Sequence, residues 1–155
     1  MRLIAILTTT FIFLLCSNIF GQSTRSAYFR IEIEESGLMF KTNGIWKITQ
    51  DSLTFERYNL DGTNDNYSKM LPSQNRDSLY LYLKQINFSK IKKDNDNNSA
   101  RTDMGDYNFN ITFNKQSKVF SIYQVKIQTV FNLVGFINTM LPANCKIGYN
   151  EDYFR

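Results

Sequence analysis

Hydrophobic and polar residues alternate along several short stretches of the chain, with the period of two that is typical of a half-buried strand. In the segment 28–34, YFRIEIE, the pattern places Phe29, Ile31 and Ile33 on one face of a strand and charged residues on the other. The same kind of alternation, or a short apolar run, predicts further strands at 38–41, 45–49, 52–58, 107–113 and 118–127.

Turn signals join these predicted strands. Ser36-Gly37 and Asn43-Gly44 separate the first three segments, and Asn-Gly favours a hairpin because both residues tolerate the positive φ of a type I′ turn. The first four segments are therefore predicted to form an antiparallel meander. The segments 59–69 and 92–106 have the polar composition of loops.

Two segments change to helical spacing. After Pro72, with Ser73 or Asn75 as a candidate N-cap, apolar side chains recur at Leu79, Tyr82, Leu83 and Ile86. From Thr129 they recur at Val130, Leu133, Val134, Ile137 and Leu141, and Pro142 is expected to end the helix. The tail, with Ile147 and Tyr149, is expected either to add an edge strand or to lie over the core.

The order of these elements, with strands in runs and helices separate, predicts an α+β domain. We expect an antiparallel sheet of about six strands (meander, helix, hairpin, helix), with the two helices packed on one face. Residues 22–155 would form this single domain.

Residues 1–21 have the order of a secretory signal peptide: Arg2, an apolar run over 3–16, and then small or polar residues. We expect cleavage after Gly21 and export to the periplasm or the medium. An uncleaved signal anchor is one alternative, in which the chain would contact a membrane through its leader. Lipidation of Cys16 is another, although Leu15 stands where lipoprotein signals have a small residue.

Composition excludes several chemistries. The chain contains no histidine, which excludes Ser-His-Asp and Cys-His catalysis and histidine-based zinc sites. Carboxylate-only chemistry remains, and Glu32 and Glu34 would lie about 7 Å apart on one strand face. Charged residues on the outer face of a strand are ordinary, however, so we predict no catalytic residue. Without the leader, Cys145 has no partner and is expected to be a buried, inert thiol.

The net charge of +4 is spread over scattered lysines and arginines, and a nucleic-acid partner is not expected from such a distribution. The segment 92–106, KKDNDNNSARTDMGD, invites comparison with a calcium-binding EF-hand loop, in which Asp94, Asp96 and Asn98 would be ligands. Ser99 stands where that loop has its glycine, and Gly105 where it has its bidentate glutamate. We therefore predict no metal or other cofactor, and a polar loop between a helix and a hairpin whose function, if it has one, is contact with a partner.

Four features together resemble small exported bacterial domains: ESG (35–37), LYLYLKQINF (79–88), the 92–106 loop leading into strand 107–113, and VFNLVGFINTML (130–141). The order of elements is also similar to that of the emfourins, which inhibit secreted metalloproteases. Emfourin-like chains carry a second glycine at the first turn, where this chain has Leu38. The resemblance implies a binding role and assigns no site residue.

The leading hypothesis is an exported, non-enzymatic protein-binding or inhibitory module whose partner is another exported or envelope protein. The alternatives are a small-ligand-binding envelope protein with a pocket between sheet and helices, and a carboxylate-dependent hydrolase. The candidate binding residues are Tyr67 and Tyr80, which flank the first loop and helix, and Arg101 and Asp103 in the 92–106 loop. Of these, Tyr80 is expected to be an exposed aromatic anchor because it lies off the apolar helical face.

Overall fold

The computed structural model describes residues 28–36, 42–96 and 105–151. These residues form two α-helices, α1 (Ser73–Gln85) and α2 (Gln128–Thr139). They also form seven strands: β1 (Phe29–Ser36), β2 (Thr42–Thr49), β3 (Ser52–Asn59), β4 (Asn64–Met70), β5 (Asp94–Asp96), β6 (Asp106–Phe113) and β7 (Gln116–Tyr123). The leader, residues 1–21, lies outside the described residues. Its cleavage and the export of the protein remain predictions.

The strands form one sheet in the order β4-β3-β2-β1-β6-β7-β5. Strands β1 to β4 are an antiparallel meander, and the β6–β7 hairpin extends the sheet on the other side of β1. Only the short β5, among the described strands, pairs in parallel, with Asn95 opposite Ile122 of β7. The α+β class and the antiparallel character of the sheet are confirmed, with seven strands where about six were expected.

The alternation of buried and exposed side chains along β1 shows which face of the sheet the core covers. Phe29, Ile31 and Ile33 are fully buried, while Arg30 and Glu34 on the opposite face are exposed. The buried strand positions form one hydrophobic cluster with the apolar faces of both helices, which therefore pack on the same face of the sheet. Buried apolar area of this kind, at about 25 cal/mol per Å², is the main favourable term in folding.

The helices bury most of the positions that their spacing predicts: Leu79 and Leu83 in α1, and Val130, Leu133, Val134 and Ile137 in α2. Tyr82 is half-buried, and Ile86 and Leu141 lie just beyond the ends of the helices. The capping prediction was wrong. Pro72 precedes the first turn of α1, and no side-chain hydrogen bond caps it, because Ser73 and Asn75 are already helical. Proline is tolerated at this N-cap position, since no intrahelical hydrogen bond needs the N–H that it lacks.

The Asn43-Gly44 turn was also a wrong prediction. Strand β2 runs straight through both residues, and Gly44 pairs with Glu35 on one side and Arg57 on the other. The glycine serves a packing purpose, because a β-carbon at Gly44 would lie only 2.6 Å from the indole of Trp46. The strand expected at 38–41, and the Gly37 half of the first turn, lie outside the described residues.

The segment 59–69 is only partly a loop. Its turn is held by Asp61, whose Oδ1 accepts hydrogen bonds from the amide and hydroxyl of Thr63 at 2.9 and 2.6 Å, and Gly62 adopts φ 82°. The chain then enters β4, whose side chains are almost all exposed. The apolar alternation that identifies a half-buried strand is absent there, because β4 is an edge strand held by backbone pairing.

Two further boundaries differ from the sequence prediction. Strand β7 ends at Tyr123 instead of continuing to residue 127, because Gln124 adopts φ 53° and turns the chain. The 92–106 segment contributes β5 to the sheet, while 97–104 lies outside the described residues.

The tail after α2 lies over the core and adds no strand among the residues described there, which confirms one of the two alternatives. Ile147 and Tyr149 are buried, and the Asn138 amide both donates to the Ile147 carbonyl (3.0 Å) and accepts from the Ile147 amide (2.8 Å). Neither helix of the described chain is long and apolar enough to cross a membrane.

Candidate functional site

Strand pairing brings four unusual residues into one row at the core side of the sheet. Arg57 of β3 lies opposite Gly44 of β2, Gly44 lies opposite Glu35 of β1, and Glu35 lies opposite Tyr107 of β6. Residues directly opposite each other in antiparallel strands share a face. The inward alternation Phe29, Ile31, Ile33 thus continues to Glu35, which is only 4% exposed.

The carboxyl group of Glu35 has a specific donor. The hydroxyl of Tyr107 donates to Oε1 of Glu35 at 2.8 Å. Burial raises the pKa of Glu35 above its ordinary value, and the Tyr107 hydrogen bond and the Arg57 charge oppose that rise. Many active sites contain a buried carboxyl group with a raised pKa. Glu35 could act on a substrate only if there were room for one beside its carboxyl group.

That space is filled. The indole of Trp46 packs over Gly44, and a β-carbon on Gly148 would lie 2.7 Å from the Tyr107 hydroxyl and 3.4 Å from Oε1 of Glu35. Trp46 also donates from Nε1 to the Cys145 carbonyl at 2.7 Å. The Glu35 cluster, which we define as Glu35, Gly44, Trp46, Arg57 and Tyr107, therefore joins the sheet to the tail.

Arg57 and Cys145 complete this region. One Nη of Arg57 donates to the Asn144 carbonyl at 3.4 Å, its guanidinium centre lies 5.0 Å from the ring centroid of Phe55, and its buried Nε has no partner among the described residues. Cys145 is buried, as expected, and burial raises the pKa of its thiol. A raised thiol pKa disfavours the thiolate, the nucleophilic form of cysteine.

The opposite face of the sheet differs in kind. Both helices lie on the core side, so the side chains of Arg30, Glu32 and Glu34, and those opposite them in neighbouring strands, form what we call the open face. The row through Glu34 shows its composition: Asn66, Glu56, Ile45, Glu34, Asn108 and Ser121. The pair Glu32 and Glu34 belongs to this face, where Glu32 forms an ion pair with Arg30 at 3.1 Å.

Negative charge accumulates at one corner of the open face. Asp94 and Asp96 of β5 lie opposite Ser121 and Tyr123, and Asp106 begins β6 opposite Ser36. Partial burial raises the pKa of Asp106, and the negative charge of Asp96 raises it further. The aspartates that suggested a metal loop thus lie at a strand edge of this face.

Of the candidate binding residues, the structure describes Tyr67 and Tyr80, and it does not bring these two together. Tyr67 of β4 is half-buried opposite Phe55, and Tyr80 of α1 is half-buried with its ring 5.1 Å from that of Phe113. The expected exposure of Tyr80 was therefore wrong, because its ring packs against a β6 side chain. Arg101 and Asp103 lie outside the described residues.

No group of three or more acidic or cysteine side chains within 28–36, 42–96 and 105–151 is placed to hold a metal ion. A comparison with known protein families finds no family model that matches the chain, and a search of curated proteins finds none that is significantly similar.

Proposed function

We propose that the protein is an exported, non-enzymatic protein-binding module that contacts another exported or envelope protein through the open face of its sheet. One observation carries this proposal: the sheet face opposite both helices, which presents the outward side chains of β1, β2, β3, β6 and β7, is predominantly acidic. Antiparallel sheets with one solvated face are common. The charge on this face is what favours a binding role.

Acidic residues outnumber basic ones on the open face. The carboxylates are Glu32, Glu34, Glu56, Asp94, Asp96 and Asp106, and the cations within the strands are Arg30 and Lys47. The chain as a whole carries +4, so its charge is distributed unevenly. Such a face would orient and attract a partner with a basic surface, since electrostatic complementarity accelerates association and selects partners.

The Glu35 cluster supports a structural role in preference to the hydrolase alternative. A carboxylate-dependent hydrolase needs two carboxyl groups that face a substrate. The side chains that shift the pKa of Glu35 are those of Tyr107 and Arg57, and neither is a carboxyl group. Trp46 and Gly148 pack into the space beside Glu35. The same packing argues against a ligand pocket at this end of the sheet. The resemblance to emfourins implies a narrower form of the proposal, in which the partner is a secreted protease and binding inhibits it.

Affinity capture from the native envelope and secreted fractions tests the proposal. The immobilised protein is compared with the triple variant Glu32→Lys, Glu34→Lys, Glu56→Lys, and with the control variant Lys84→Glu, Lys90→Glu, which alters exposed charges away from the sheet. We expect a partner that the protein and the control retain, that the triple variant loses, and that higher salt releases. Retention of no protein, or equal retention by all three, would contradict the proposal.

A further inference from the structure

Strand β4 ends the sheet on one side, and no other element of the described chain pairs with its outer edge. Two hydrogen bonds fix which backbone groups face outward. The Asn59 amide donates to the Thr63 carbonyl at 3.0 Å, and the Leu71 amide donates to the Asp51 carbonyl at 2.9 Å. Bonded pairs alternate along an antiparallel ladder, so Asp65, Tyr67 and Lys69 bond to β3.

The remaining residues of β4 therefore direct their amides and carbonyls away from the sheet: Asn64, Asn66, Ser68 and Met70. Natural proteins usually protect such an edge with proline, a bulge, a very short strand or charged side chains. Strand β4 contains no proline and pairs with β3 in continuous register over seven residues, and its charged side chains are Asp65 and Lys69. These charges oppose pairing with most strands, but a strand that places opposite charges across from them can pair with this edge.

The sequence of β4 is complementary to itself in one antiparallel register. When a twofold axis passes through Tyr67, Asp65 lies opposite Lys69 of the second copy, and the reverse pair forms on the other side of the axis. The outward backbone groups also match, because Asn66 meets Ser68, and Asn64 meets Met70. Opposite charges placed directly across a strand pair are stabilising.

Neighbouring registers lose this match. A shift by two residues in either direction places Asp65 or Lys69 opposite Tyr67 and shortens the ladder. Both charged side chains are exposed, and neither forms an ion pair within the described chain. We propose that a second copy of this chain pairs with β4 in the Tyr67-centred register and extends the sheet across a twofold dimer.

The twofold axis would run perpendicular to the sheet, so the open faces of both copies would lie on the same side and form one surface. An interface made from one strand pair is small, and small interfaces are typical of reversible association. The dimer rests on the geometry and charge of β4 and does not depend on the proposed function of the open face.

Sedimentation equilibrium over a concentration series tests the dimer with the purified protein and the variants Lys69→Asp and Asp65→Lys. Each single reversal replaces two attractive pairs by two repulsive ones and should weaken the dimer about tenfold or more. An equimolar mixture of the two variants should form a heterodimer, because every Asp then faces a Lys, and the double variant Asp65→Lys, Lys69→Asp should regain the homodimer.

A protein that stays monomeric at every concentration would overturn the inference. So would a dimer that neither reversal weakens, or a mixture in which no heterodimer forms. Circular dichroism shows whether each variant is folded, and Lys84→Glu is the charge control on α1. The open-face triple variant should keep the dimer and Lys69→Asp should keep the captured partner, so the two proposals can fail separately.

Discussion

The indole of Trp46 lies against the backbone of Gly44, two residues earlier in the same strand. A β-carbon added to Gly44 would stand 2.6 Å from Cη2 and 2.9 Å from Cζ3 of the ring, and 3.3 Å from Oε2 of Glu35. Residues two apart in a strand share a face, so the side chain of the earlier residue usually occupies the space over the strand next to the later one. Here the missing side chain of Gly44 lets the ring lie over the strand and approach the tail.

We expect Gly44→Ala to destabilise the protein by about 1–3 kcal/mol, the usual cost of inserting a methyl group into a packed core. Part of that loss would come from displacement of the indole, which is the only tryptophan of the chain. Urea denaturation followed by tryptophan fluorescence measures both effects. A variant as stable as the parent, with an unchanged emission maximum, would contradict this packing.

Gly135→Ala is the matched control for this substitution. Gly135 is an exposed residue of α2, and a β-carbon there would meet nothing within 4 Å. Alanine is favoured over glycine in a helix by about 1 kcal/mol, so the same chemical change should stabilise the protein. If Gly44→Ala lowers the free energy of unfolding and Gly135→Ala raises it, the loss at position 44 comes from local crowding and not from the glycine-to-alanine change itself.

The buried carboxyl group of Glu35 should make stability depend on pH. Because desolvation raises its pKa above the ordinary value of 4.5, the folded protein binds the proton more tightly than the unfolded chain does. The contribution of Glu35 is therefore greatest below about pH 4.5 and is lost as pH rises from there through the folded-state pKa. Glu35→Gln should remove this loss, so the variant should be the more stable one at neutral pH.

Thermal unfolding from pH 4 to pH 8 measures the difference between the two proteins. Tyr107→Phe removes the hydrogen bond that lowers the pKa of Glu35, and should extend the loss of stability to higher pH. Glu34→Gln removes the same charge from the exposed face of the same strand and controls for charge alone. If the Glu35→Gln and wild-type curves run parallel across this range, the carboxyl group is not desolvated as the structure indicates.

Periodicity in the sequence was sufficient for the interior of the fold. The inward positions of β1 and β6 and the buried faces of both helices follow from spacing alone, since these elements bury one face each. The edge strand β4 was not predicted, because a strand that buries neither face has no periodic pattern of apolar residues. Strand β4 buries almost nothing, so its sequence carries no alternation, and backbone pairing with β3 decides its conformation.

The Glu35 cluster could be predicted only in part. Continuing the period of two from Phe29 would have placed Glu35 inward, and that signal was available in the sequence. Its partners come from residues 57, 107 and 148, and strand register, which brings them together, is set by the whole sheet. The Asn-Gly pair does not form the predicted turn because its turn preference is local, whereas pairing of Gly44 with Glu35 and Arg57 in the neighbouring strands keeps it within β2.

Cys145 offers a probe of how firmly the tail is held. Its thiol is buried and its carbonyl accepts the Trp46 hydrogen bond, so a thiol reagent should react only when the tail opens. Trp46→Phe leaves that carbonyl without its donor, and we expect a loss of about 1–3 kcal/mol with faster labelling. The measurement uses Cys16→Ser protein, and Tyr58→Phe, at an exposed aromatic, is the control. Equal labelling rates in all three proteins would mean that the hydrogen bond does not hold the tail.

The paired hydrogen bonds between Asn138 and Ile147 anchor the tail at its other end. The Asn138 amide satisfies both the carbonyl and the amide of Ile147, which is fully buried. Asn138→Ala should destabilise the protein by about 2–3 kcal/mol, because two backbone groups lose their partners away from water. Asn132→Ala, at an exposed position of the same helix, should change the free energy of unfolding far less. Urea denaturation measures both variants, and an equal effect of the two substitutions would contradict the anchoring of the tail by Asn138.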